Sequence, residues 1–104
     1  MDVLTRAEFH VVLSLLDSDR HGYAIMQDVE TLTGGEVKLG PGTLYTAIAR
    51  LVRTGLIEEC DSPNDRRRCY TVTKKGKAVA TEEAKRLAAL VRTARKRGLL
   101  PSAS

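Results

Sequence analysis

PGTLYTAIARLVRTGLIEECDSPNDRRRCYTVT, residues 41–73, reads as a helix running into a β-hairpin. Gly40-Pro41-Gly42 opens the helix, since the N–H that proline lacks has no partner in a first turn anyway. Leu44, Ala47, Ile48 and Leu51 line one face at helical spacing, and Thr43, Thr46, Arg50 and Arg53 occupy the other. Gly55 ends the helix. Leu56 to Asp61 then reads as a strand, Ser62-Pro63-Asn64-Asp65 as a turn, and Arg67 to Val72 as the returning strand. With Asn64-Asp65 at the tip, Ile57 falls opposite Val72, Glu59 opposite Tyr70 and Cys60 opposite Cys69.

Upstream, Thr5 and Glu8 have the spacing of a capping box. Phe9, Val12, Leu13 and Leu16 follow at helical spacing, and Val11 and Leu15 broaden the stripe. A second helix is expected from about His21 to Thr33, with Ile25, Val29 and Leu32 on its apolar side. Gly34-Gly35 stops it. Glu36-Val37-Lys38-Leu39 reads as a short extended piece. Downstream, Thr73 caps a long helix to about Arg97, in which Ala80, Ala84, Leu87, Val91 and Ala94 follow the 4-3-4-3 spacing of a coiled-coil seam. The chain is thus mainly α with a small β-hairpin. The order predicts a winged helix-turn-helix over 1–72, a C-terminal dimerisation helix over 73–97 in the same compact domain, and a flexible tail over 98–104.

A chain of 104 residues holds one domain with a modest core, which favours oligomerisation. Its net charge of +4 is unevenly spread. Residues 1–34 carry six acids and two bases, a balance of −4, whereas residues 62–77 carry six bases and one acid, a balance of +5. Residues 85–97 add six bases and no acid. Such asymmetry suits a polyanionic partner met by part of the surface. No apolar run approaches the ~18 residues that span a bilayer, and the N-terminus lacks a charged leader region. The expectation is a cytoplasmic protein with no membrane partner. In that compartment Cys60 and Cys69 are expected to be reduced. Two thiols without nearby histidines do not make a zinc site, so no metal is expected. Paired carboxylates beside a histidine, a nucleophile motif and a phosphate loop are all missing, which argues against an enzyme and against a cofactor.

His21-Gly22-Tyr23-Ala24-Ile25, Gly42-Thr43-Leu44-Tyr45, Arg50 to Ile57 and Arg67 to Gly76 resemble the PadR family of transcriptional regulators. That family shows HGY, then GTLY, then a helix closing in GLI, then R-x-YY-x-LT-x-x-G, in this order and spacing. The resemblance covers about residues 5–95, and Cys69 departs from it where a tyrosine is common. It implies a dimeric regulator, usually a repressor, on operator DNA with two half-sites. It also implies, for some relatives, phenolic acids or hydrophobic drugs as inducers, so a small hydrophobic or phenolic effector is a candidate partner.

The residues assigned to double-stranded operator DNA follow from this reading. In the recognition helix, about 41–54, they are Gly42, Thr43, Tyr45, Thr46 and Arg50, directed to the major groove. In the wing, about 62–68, they are Asn64, Arg66, Arg67 and Arg68, directed to the backbone or minor groove. Ala80, Ala84, Leu87, Val91 and Ala94 are assigned to the homodimer. His21 and Tyr23 are read as structural, opening the second helix. Two alternatives stay open: a winged-helix module that docks an acidic protein, and a regulator of the MarR-like or ArsR-like kind.

Overall fold

Thr5 Oγ1 accepts the Glu8 N–H at 3.1 Å while Glu8 Oε1 accepts the Thr5 N–H at 2.8 Å, the reciprocal capping box expected from their spacing. Helix α1 (Arg6–Asp17) follows. The computed structural model describes residues 3–60 and 67–101. Within them α1 leads to β1 (Arg20–His21), α2 (Gly22–Leu32), α3 (Pro41–Arg53), β2 (Ile57–Cys60), β3 (Cys69–Val72) and α4 (Lys74–Lys96). The expected wing turn, with Asn64 and Arg66, lies outside the described residues.

The strands form one antiparallel sheet in the order β1-β3-β2. Ile57 pairs with Val72, Glu59 with Tyr70 and Cys60 with Cys69, the register read from the turn. Strand β1 goes beyond what the sequence pattern predicts. Two residues carry no alternation to read, yet Arg20 pairs with Tyr70 and His21 with Cys69. Residues 36–39, by contrast, form no strand. They are a loop in which Val37 N–H donates to Thr33 Oγ1 at 3.0 Å and Val37 and Leu39 pack half-buried on the core. The expectation of reduced thiols is also corrected: Cys60 and Cys69 are joined by a disulfide. Their direct opposition, with Cα atoms 5.1 Å apart, puts them within bridging distance.

The core gathers Val11, Val12 and Leu15 of α1, Ile25 and Val29 of α2, Leu44, Ala47, Ile48 and Leu51 of α3, and Leu56, Ile57 and Tyr70 of the hairpin. The α1 stripe is rotated from its expected setting, so Leu13 and Leu16 stay exposed. Helix α4 buries only Gly76 and Ala80. At 23 residues it is about 35 Å long, and its distal half stands away from the body, which accounts for a longest extent of 51 Å against 30 and 24 Å. The expected seam is therefore divided. Ala80 packs on its own domain, while Ala84, Leu87 and Val91 face outward and Ala94 is half-exposed. From residue 98 the expected tail begins with a helix cap, Leu99 N–H donating to Ala94 O at 2.9 Å. Among the described residues no helix is long and apolar enough to cross a membrane.

The root of α4 rests on Leu56. Its carbonyl accepts the Thr73 N–H at 3.1 Å, and a Cβ added at Gly76 would stand 2.0 Å from the same oxygen. Backbone cannot yield as a flexible side chain would. Gly76→Ala should therefore cost roughly 2 kcal/mol or more, seen as a fall in Tm of about 10 °C in a thermal melt; an unchanged Tm would contradict this packing.

Candidate nucleic-acid interface

Helix α3 is set by its two ends. Gly40 caps its start without a side-chain hydrogen bond, and Pro41 follows at the first helical position. The exposed first turn, with Gly42 and Thr43, so presents amides to solvent, where an anion is favoured. At the far end Gly55 adopts φ +79°, a conformation that suits glycine. The chain then reverses, and Leu56 N–H donates to Leu51 O at 2.9 Å. Lys75 Nζ donates to the Thr54 carbonyl at 2.8 Å, placing a cation at the negative end of the helix. Helix α3 and the hairpin are thereby joined through backbone contacts.

Thr43 and Thr46 are exposed on the outward side of α3, with Ala49 and Arg53 beyond them. Arg50 is not with them. The expected open-face position is corrected, because its guanidinium turns inward and pairs with the carboxylate of Glu8. The Glu8 side chain is 3% exposed and that of Arg50 is 38% exposed. Arg50 Nη1 also donates to Val3 O at 3.5 Å. Glu8 Oε1 so accepts both from Arg50 and from the Thr5 backbone. The pair ties α3 to the first turn of α1.

Tyr45 leaves α3 on the side of the sheet. A Cβ at Gly22 would lie 2.7 Å from Tyr45 Oη, so the glycine of the HGY run is the seat for this ring. Tyr45, Arg67 and Arg68 meet His21, Tyr23 and Tyr70 around a cleft of about 350 Å³. Tyr23 is 57% exposed on the rim. His21 Nδ1 lies 3.2 Å from the Arg68 carbonyl, which can only accept, so the nitrogen carries the proton. This bond and the β1–β3 pairing brace the base of the wing. Arg68 also pairs with Glu59 at 3.4 Å. Burial, and secondarily the Glu59 charge, push the Tyr70 phenol above its usual pKa, with Arg68 acting in the opposite direction. Tyr70 therefore stays a neutral hydrogen-bonding group. A groove between α3 and the hairpin, lined by Tyr45, Val52, Arg53, Glu59, Arg68 and Tyr70 among others, continues this surface.

Of the assigned residues, then, Gly42, Thr43 and Thr46 share the outer side of α3, and Tyr45, Arg67 and Arg68 share the cleft beside it. Arg50 is paired with Glu8 instead, and Asn64 and Arg66 lie outside the described residues. The sequence matches the transcriptional regulator PadR-like family over residues 12–82. The chain belongs to that family.

Individual proteins are similar to it in sequence or in fold. This PadR-like chain is 36% identical over 84 residues to an uncharacterized 37.1 kDa protein in transposon TN4556 of Streptomyces fradiae, which covers 81% of this chain but 24% of that protein. It therefore spans about a quarter of that relative's length. Its fold is similar to that of a transcriptional regulator from Clostridium thermocellum, with a TM-score of 0.79 at 22% identity over 90% of this chain and 97% of that one. It is also similar to that of a PadR family transcription regulator from Clostridium difficile R20291, with a TM-score of 0.75 at 21% identity over 88% and 97%. The PadR-like family is one of transcription regulators, which leaves the MarR-like and ArsR-like readings behind. Its motifs have physical reasons in this chain. Gly22 admits Tyr45, Gly55 turns α3 into the hairpin, and Gly76 admits the Leu56 carbonyl.

In this PadR-like chain Arg50→Ala should lower stability by about 2 kcal/mol, because it leaves the Glu8 carboxylate buried without its cation. Glu8→Gln in the same background should recover part of that loss. Urea unfolding of the parent, both single variants and the double variant measures the coupling, and strictly additive losses would contradict the pairing.

Proposed function

We propose that the protein is a homodimeric, sequence-specific DNA-binding regulator that acts as a repressor in the cytoplasm. Helix α3 enters the major groove, with Thr43 and Thr46 at base edges and the Gly42 turn and Tyr45 at phosphates. Arg67 and Arg68, together with Asn64 and Arg66 of the wing, meet the backbone or minor groove. Arg50 acts from behind by holding α3 on α1. The observation that carries this reading is the uncovered polar side of α3 lying next to Arg67 and Arg68 at the base of the hairpin. Backbone contacts of the wing supply affinity, and the α3 side chains supply sequence choice.

Dimerisation is supported by the apolar surface that one copy leaves open. Leu87, Leu90 and Val91 of α4 are 38, 57 and 39% exposed, and Leu13 and Leu16 of α1 are 37 and 47% exposed. A groove of about 650 Å³ along α4, with Val3, Ala78 and Val79 in its wall, adds to this surface. A second copy covers these faces through a two-fold axis and places two α3 helices on one side of a duplex. A small hydrophobic or phenolic effector forms no part of this reading.

The test is binding of the full chain to the duplex just upstream of its own gene against a scrambled duplex, followed by fluorescence anisotropy through a salt series. The upstream duplex should bind more tightly, with affinity falling by about a thousandfold between 50 and 200 mM salt. Arg67→Ala should weaken both duplexes alike, Thr46→Ala should reduce the preference by ~1–3 kcal/mol, and Leu90→Asp should sediment as a monomer and lose tight binding. Failure to bind any duplex at low salt would contradict the reading and favour an acidic protein partner instead.

A further inference from the structure

The sheet carries a second set of chemistry on the face opposite Tyr70. Cys69 and Cys60 are paired directly across β3 and β2, and opposed residues in antiparallel strands project to the same side. Asp19, just before β1, brings a carboxylate to this row. The ligand atoms of Asp19, Cys60 and Cys69 all lie within 4.8 Å of one another. Asp19 is exposed and both cysteines are half-buried, so solutes can reach the group. His21 is turned towards the Arg68 carbonyl and stands outside the set.

We propose that, once the Cys60–Cys69 disulfide is reduced, Asp19, Cys60 and Cys69 bind a thiophilic divalent cation of the zinc class, and that disulfide and metal exclude each other. Thiolates select zinc over magnesium or calcium, which prefer oxygen alone. Two sulfurs on a tetrahedral zinc, each about 2.3 Å from the metal, sit about 3.8 Å apart. Side-chain rotation can open that gap with the backbone pair kept at its Cα separation of 5.1 Å. The carboxylate completes three protein ligands and leaves a fourth position to water, the open arrangement zinc accepts.

The chemistry balances with a phosphine as reductant. Two electrons pass from phosphorus to the disulfide, water supplies the oxygen of the phosphine oxide, and two thiols result. Zinc then displaces both thiol protons, so each ion bound to the ionised carboxylate and two thiols releases two protons. The three ligands come from the segment before β1, the end of β2 and the start of β3. Either crosslink therefore ties the base of the wing, and the metal also ties in the lead into α2. The proposal stands apart from the DNA reading, because it is measured in metal binding alone.

The experiment is a zinc titration of the full chain against a chromophoric chelator, with disulfide and phosphine-reduced forms side by side. The reduced form should bind one zinc per chain and release two protons per zinc in weakly buffered solution. The disulfide form should bind none. Cys60→Ser should abolish the site, and Asp19→Asn should weaken it by about tenfold or more. Comparing the two forms of the parent needs no substitution, so a variant that fails to fold leaves the test intact. Equal binding by both parent forms, no binding by the reduced form, or full affinity in a folded Asp19→Asn variant would overturn the proposal.

Discussion

The carboxylate of Glu8, on a residue only 2% exposed, sits where α1 crosses α3 and accepts from the Thr5 amide and from Arg50. A buried charge costs several kcal/mol unless it is paired and hydrogen-bonded. Here both conditions hold, and the partners come from different elements. One contact starts α1 and the other fixes α3 against it. The side chain that holds α3 from behind leaves Thr43 and Thr46 facing outward, so the exposed side of the helix is set by what lies beneath it.

Leu56 plays the corresponding part for the wing. Its amide closes α3 on Leu51, its carbonyl accepts from Thr73, and its side chain is buried in the core. Gly76 rests against the same carbonyl. Helix α3, the hairpin and α4 thus converge on one residue. Helix α4 is joined to α3 and the hairpin through backbone contacts. The small β1 strand adds a brace from the other side, since Arg20 Nε donates to Ser14 O at 2.8 Å and its guanidinium pairs with Asp28 at 3.5 Å.

Much of this was legible in the amino-acid order. Pro41 and Gly55 bound α3, the Thr5–Glu8 spacing announced the α1 cap, and the length of the hairpin turn set the strand register. What escaped did so for physical reasons. A two-residue strand has no period, while Val37 and Leu39 alternate without finding a partner strand. A helical wheel groups Arg50 with Thr43 and Thr46, but it takes no account of a long side chain that reaches a buried acid. The cytoplasmic expectation of reduced thiols gives way to the strand register, which sets Cys60 opposite Cys69. Leu90 falls off the 4-3 seam, and only its exposure shows that the apolar face of α4 is wider than that seam.

The central claim is that two copies act together, each placing one α3 in a major groove. Hydroxyl-radical footprinting of the full chain on its operator tests this most directly. The account predicts two protected patches on one face of the duplex, about 10 base pairs apart from centre to centre or a multiple of that spacing. A single patch, or uniform protection without helical phase, would contradict it.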